Sequence, residues 1–129
     1  MTGSEPSLIA KLDGFIEMVR ARDWKLIDAL WGDGDFWLVG SEVDEICRTR
    51  PELAAKLGSV FAHSSTFVFD FPCRTVKRAG SVAWIFAEGT LTRREPDGTE
   101  QSRRYLACCI FEHVNDAWYW RKFFGSEPY

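Results

Sequence analysis

The sequence predicts an α+β fold in which helices come first and a long antiparallel sheet follows, and three observations predict it. Apolar residues recur at helical spacing in three stretches of the first half. From Thr66 onward they alternate instead, one strand after another. Turn-forming residues interrupt that second half at intervals suited to hairpins. The expected architecture is a cone-shaped, curved, antiparallel or mixed β-sheet with about three N-terminal helices packed on its concave face.

Ser4-Glu5-Pro6 suits the first turn of a helix. Leu8, Leu12, Phe15, Ile16 and Val19 then form one apolar stripe, which ends near Ala21–Arg22. Asp23 is placed to cap a second helix, Trp24–Trp31, which Gly32-Asp33-Gly34-Asp35 breaks. Phe36–Gly40 reads as a short strand and Ser41–Arg48 as irregular. Thr49-Arg50-Pro51-Glu52 carries the reciprocal Thr/Glu capping pattern and opens a third helix to about Ala62. Thr66–Val76 is the next strand, with Pro72 as a candidate edge or bulge because it lacks an N–H. Lys77–Gly80 turns the chain into a central strand, Val82–Thr90, where Gly89 is a second candidate bend point. Glu95-Pro96-Asp97-Gly98 and Val114–Ala117 mark the two remaining turns, before strands over roughly Arg103–His113 and Trp118–Phe124.

A chain of 129 residues implies one domain, 1–129, with one core. The six Trp and ten Phe must either crowd that core or line a cavity. A net charge of −3 gives no sign of a nucleic-acid surface, and the pairs Arg93–Arg94 and Arg103–Arg104 read as the solvated rim of a hairpin. No apolar run approaches the ~20 residues of a membrane span. Cys47, Cys73, Cys108 and Cys109 lack Cys-x-x-Cys spacing, and no signal-peptide pattern is present, so reduced thiols and a cytoplasmic location are expected. His63 and His113 lack metal-ligand spacing, and neither a metal nor another cofactor is expected.

The helix pair Phe15-Ile-Glu-Met-Val…Asp23-Trp…Leu30-Trp31, the strand Phe36–Gly40, then Val82-Ala-Trp, Ile110-Phe111 and the closing Trp118-Tyr-Trp…Phe124-Gly-Ser-Glu-Pro128 follow one another in an order that resembles the nuclear-transport-factor-2-like superfamily. That is the fold of ketosteroid isomerase and the SnoaL-like polyketide cyclases, and the closing stretch is most similar to small stand-alone SnoaL-like domains. The resemblance implies a cavity inside the cone and a homodimer through the convex sheet face. It does not imply ketosteroid isomerase chemistry. The positions matching that enzyme's tyrosine, base and protonated aspartate are Phe15, Val39 and about Ala107, none of which can exchange a proton through its side chain.

The same alignment implies that Phe15, Val19, Trp31, Trp37, Val39, Trp84, Phe86, Tyr105, Cys109 and Arg121 line the cavity, with Glu88 as the one candidate catalytic group. A carboxylate sharing a face with Trp84 and Phe86 would have a raised pKa and could shuttle a proton. Equally, Glu88 could be solvated at the strand's open end or paired with Arg104 or Arg121. Tyr105 reads as a donor to a ligand carbonyl or as an ordinary rim aromatic, and Arg121 as an anion clamp or as the partner of Glu88. Cys109 reads as packing, with no cation placed to activate it, and His63 as the close of the third helix. If Arg121 faces inward, Trp118, Trp120 and Phe124 face outward and need a partner. Two functions follow. One is a pocket for a small apolar or aromatic ligand, with or without lyase, isomerase or cyclase turnover. The other is a non-catalytic dimerisation or scaffold module whose cone is filled by its own side chains.

Overall fold

A computed structural model describes residues 4–42 and 45–128. Residues 43 and 44, within the stretch expected to be irregular, lie outside the described part. The order is α1 (Ser4–Ala21), α2 (Lys25–Leu30), β1 (Trp37–Val39), β2 (Ile46–Cys47), α3 (Arg50–Ala62), β3 (Thr66–Ala79), β4 (Val82–Arg94), β5 (Glu100–Val114) and β6 (Ala117–Ser126). The six strands form one open mixed sheet in the order β2-β1-β6-β5-β4-β3. Every pairing is antiparallel except β1 with β6, where Leu38 lies opposite Phe123.

Local chemistry accounts for the ends of these elements. The Thr49 hydroxyl accepts the Glu52 amide at 3.2 Å, and the Glu52 carboxylate accepts the Thr49 amide at 3.1 Å, so the capping box starts α3. Asp23 accepts the Lys25 amide at 3.0 Å, and α2 runs one residue shorter at each end than its apolar pattern predicts. Gly58 leaves room for Trp24, whose ring lies 3.6 Å from the position a Cβ would take and packs edge-on against Phe61 at 5.0 Å. Asn115 and Asp116, both at positive φ, form the two-residue turn between β5 and β6.

The sheet bends at a bulge. Asp70 pairs with Thr90 and Cys73 with Glu88, so Phe71 and Pro72 together oppose the single residue Gly89. Both candidate bend points therefore belong to one irregularity, and it reverses which side chains of β3 face inward. Before it, Phe67 and Phe69 pair with the inward Arg93 and Leu91; beyond it, Val76 pairs with the inward Ile85.

The inner face carries the core. On β4 it is Ala83, Ile85 and Ala87, all fully buried; on β5 it is Tyr105, Ala107, Cys109 and Phe111. This reverses the expectation for Trp84, Phe86 and Glu88, which lie on the outer face. The cause is the loop Glu95–Thr99, whose five residues place Arg94 opposite Glu100 and hence Ile85 opposite Cys109. Directly opposed residues share a face. Trp84 and Phe86 therefore could not look inward together with Tyr105 and Cys109. The small face of β4 lies inward because α1 and β6 supply the bulk there. Phe15 stacks on Phe123 at 4.8 Å and contacts Trp120 at 5.9 Å.

A second bulge lies in β6 opposite the Ile110–Phe111 step of β5, and its extra residue is Arg121, which has no opposing residue. Trp118 and Trp120 before it and Phe123 after it all face inward and are buried. The outward placement expected for Trp118 and Trp120 is thus overturned, while Phe124 does face outward and is 40% exposed.

Candidate functional site

Between α3, the loop after β1 and the inner faces of β3–β5 lies a cavity of about 450 Å³. Its apolar floor includes Phe15 and Val19 from α1, Leu38 from β1, Phe69 from β3 and Phe123 from β6. Two in-register rows form the sheet wall: Phe69–Leu91–Arg103 and Phe67–Arg93–Gln101. Across the opening stand Lys56 and His63 of α3, with Glu42, Glu45 and Glu127 on the loop and tail.

These polar groups are mostly engaged with one another. Glu45 forms an ion pair with Lys56, and its other carboxylate oxygen accepts the Glu42 amide at 3.0 Å. Arg93 donates through Nε to Glu95 at 2.6 Å and to the Ser65 hydroxyl at 3.0 Å. That hydroxyl is fully buried and lies 2.8 and 2.9 Å from the two Glu95 oxygens. These two donors hold the Glu95 carboxyl below the usual glutamate range. Nδ1 of His63 accepts the Ser65 amide at 3.0 Å, so a neutral ring carries its proton on Nε2. Serine, histidine and glutamate thus meet without making a nucleophilic triad, because the hydroxyl is directed at the carboxylate and not at the imidazole.

Tyr105 stands at the inner end of this site. Burial, with the negative charges of Glu45 and Glu127, pushes its phenol well above the usual tyrosine range, against the opposing effect of the Ser41 hydroxyl. It therefore stays protonated at any physiological pH and is available as a hydrogen-bond donor. Its seat depends on Gly125, where a Cβ would come within 1.8 Å of the phenolic oxygen. The Ser41 hydroxyl donates to Glu127 at 3.2 Å, which ties the C-terminal tail to the same rim.

Among the residues expected to line the cavity, Phe15, Val19 and Tyr105 do so. Cys109 faces inward as expected but is sealed beneath the floor, and burial raises its thiol pKa strongly. The other placements are corrected. Leu38, not Val39 or Trp37, points into the cavity, since it pairs with the inward Phe123. Trp37 is 39% exposed on the outer face, where Arg48 and Lys122 lie over its ring at 5.1 and 5.2 Å. Trp31 packs edge-on against Phe36 at 6.1 Å, away from the cavity. Trp84 and Phe86 are on the outer face, as is Glu88, which lies 4.0 Å from Arg104. A proton shuttle at Glu88 inside the cone has no geometric basis.

Arg121 is also outside the cavity. From the second bulge it donates to Asp33 at 2.5 and 2.9 Å and to Glu112 at 2.9 Å, and it lies over the Tyr119 ring at 5.5 Å. It clamps the loop after α2 to the sheet. The hydrogen bonds from Arg121 hold the Asp33 carboxyl below the usual aspartate range. A folded-state pKa lowered in this way contributes stability above the unfolded value of about 4, and that contribution fades as pH falls through the lower folded value. Urea unfolding of Asp33→Asn should thus show a cost at pH 7 that shrinks toward pH 3; an equal cost at both pH values would remove the charge from the explanation.

The cavity residues that the sequence reading missed include Leu38, Glu45, Lys56, Arg93, Arg103 and Glu127. Two of these carried a signal, since Arg93 and Arg103 flank the Glu95–Thr99 loop at positions whose facing follows from its length.

With this geometry in place, comparison with known proteins assigns the family. The sequence model of the SnoaL-like domain matches residues 9–129. The chain belongs to that family. No curated protein matches it. Solved structures similar to this SnoaL-like domain include an NTF2-like protein of unknown function from Pseudomonas putida, 18% identical, covering 100% of this chain and 89% of that one with a TM-score of 0.82. A second is a nuclear transport factor 2 superfamily protein from Salmonella enterica, at 13% identity, coverage of 96% and 90%, and a TM-score of 0.81. A third is the CaMKII hub of S. rosetta, at 13% identity, 99% coverage of both chains and a TM-score of 0.80. At such identities the likeness is one of fold. No helix among the described residues is long and apolar enough to cross a membrane.

Proposed function

We propose that this SnoaL-like domain binds a small, flat, apolar or aromatic molecule in the cavity between α3 and the inner sheet face. One observation carries the reading: the cone is not filled by its own side chains. Its aromatic rings pack along the floor, Phe15 on Phe123 and Phe69 on Tyr105 at 5.0 Å, and leave about 450 Å³ open beneath a polar rim. An apolar hollow of a few hundred Å³ with a few convergent polar groups is the usual form of a ligand site. A ligand carbonyl lying over the floor would accept from the phenol of Tyr105. The proposal is one of binding.

The test is to fill the hollow. Val60 lines it from α3 and is only partly buried. Val60→Trp should weaken binding of the neutral probe 1-naphthaleneacetamide, measured by calorimetry, by at least about tenfold while the thermal midpoint is kept. Equal binding by both proteins would sink the proposal.

Self-association through the outer sheet face belongs to the same proposal, keeping Phe124 of the residues first expected and replacing Trp118 and Trp120 with others. One in-register row, Ile46–Val39–Phe124–Cys108–Phe86, crosses five strands on that face. Ile46, Phe86 and Phe124 in this row, with Trp37 and Val82 beside it, are each 37–40% exposed. So continuous an apolar band is best covered by a second copy of itself. Phe86→Glu should convert a dimeric mass to a monomeric one in light scattering at micromolar concentration; a wild-type protein already monomeric there would remove this part.

A further inference from the structure

We infer that the molecule taken into the cavity is an anion, a flat ring body bearing one carboxylate-type head, and that Arg103 is the residue that selects it. This rests on the binding reading above and deepens it.

Four cationic or titratable basic side chains line the cavity: Lys56, His63, Arg93 and Arg103. Three are already committed. Lys56 is paired with Glu45, Arg93 is held by Glu95 and the Ser65 hydroxyl, and His63 receives the Ser65 amide on Nδ1. Arg103 forms no hydrogen bond or ion pair among the described residues, and its guanidinium fork of five donors is open to the cavity mouth.

Its position in the sheet gives this charge a use. Arg103 ends the row Phe69–Leu91–Arg103, and adjacent strands are ~4.8 Å apart, so apolar surface runs for about 10 Å up to the guanidinium. That is close to the length of a fused two-ring body with an acid side arm. A flat body would cover Leu91 and Phe69, and its acid would reach the fork bidentately, the geometry that favours arginine for carboxylates. The acidic groups lie on the opposite rim, where Glu127 accepts the Ser41 hydroxyl and Glu45 is neutralised by Lys56. With Lys56 paired to Glu45 and Arg93 to Glu95, the charge left at the opening is positive at Arg103 on the sheet wall and negative at Glu42 and Glu127 on the loop and tail. This arrangement orients an anionic head toward β5.

Three probes with one ring system and different heads separate the possibilities: 1-naphthaleneacetate, 1-naphthaleneacetamide and 1-naphthaleneethylammonium. At low ionic strength, about 20 mM, the acetate should bind the wild type at least about tenfold more tightly than the amide, and the ratio should shrink as salt is raised. Arg103→Gln should bring the ratio close to one, with the loss falling far more on the acetate than on the amide, and Arg103→Lys should restore part of it. The residue is exposed, so the thermal midpoint should hold in both variants. Equal acetate and amide affinities in the wild type, tightest binding by the ammonium, or an unchanged ratio in Arg103→Gln would each overturn the inference while leaving the cavity reading intact. Affinities of all three probes that are insensitive to Val60→Trp would overturn both.

Discussion

Replacing Phe15 by alanine should cost about 3 kcal/mol of folding stability, read as a lower urea midpoint at unchanged slope. The ring is 4% exposed and lies at the centre of the aromatic cluster, stacked on Phe123 and tilted against Phe69 and Trp120 at 5.6 and 5.9 Å. Its loss removes the transfer energy of a large side chain and the ring contacts together. The cost should lie toward the low end for a buried phenylalanine, because one side of the ring already borders the cavity and truncation widens an existing hollow. A change below about 1 kcal/mol would mean that the helix can settle into the gap. The variant should also bind naphthalene probes less selectively, since the floor beneath them becomes deeper.

Gly89→Ala should destabilise the protein by about 2–3 kcal/mol through overpacking. The added Cβ would meet the carbonyl oxygen of Asp70 at 1.7 Å and the Cα of Phe71 at 3.0 Å. Both are backbone atoms of the β3 bulge, so no side chain can turn aside, and the strands must separate or the bulge must move. Moving the bulge would shift the pairing that places Phe69 and Leu91 in one row, so probe binding should fall along with stability. A variant as stable as the wild type would show that the bulge is soft. A neighbouring outer-face control, Thr90→Ala, should change stability by less than about 0.5 kcal/mol.

The order of elements was legible in the sequence where each rests on local chemistry, and the one missed is β2, Ile46–Cys47, a two-residue strand inside the stretch expected to be irregular. The Thr49/Glu52 box, the Gly32–Asp35 break and the Asn115–Asp116 turn act within a few residues, and the structure has each where expected. Facing was less legible. Alternation in Val82–Thr90 reveals that the strand has two faces, but not which one lies under the helices. The aromatic face of Trp84 and Phe86 resembles a core, yet the interior is already supplied with bulk by Phe15, Trp120 and Phe123, and the inner face of β4 is the smaller Ala83, Ile85 and Ala87. The length of the Glu95–Thr99 loop held the missing constraint, because it fixes which β4 residues share a face with Tyr105. Arg121 could not be placed from the sequence at all. Its direction depends on a bulge in its own strand, in which it is the extra residue, and no residue type marks that site. The rim of the cavity was hidden for a related reason, since Glu45, Lys56 and Glu127 come from three separate segments joined only by the tertiary fold.

The parallel pairing of β1 with β6 has a consequence for biosynthesis. Beyond the two-residue β2, the first strand of the sheet has nothing on its other side until β6 has left the ribosome, and the Asp33–Arg121 clamp beside it joins residues 88 apart. The hairpins of β3, β4 and β5 can zip up as they emerge and receive α1 against Phe69, whereas the side of Phe15 that meets Trp120 and Phe123 stays uncovered until the last strand arrives. A nascent chain arrested before Trp118 should therefore be engaged by chaperones through the uncovered side of α1, and release of β6 through Ser126 should end that engagement.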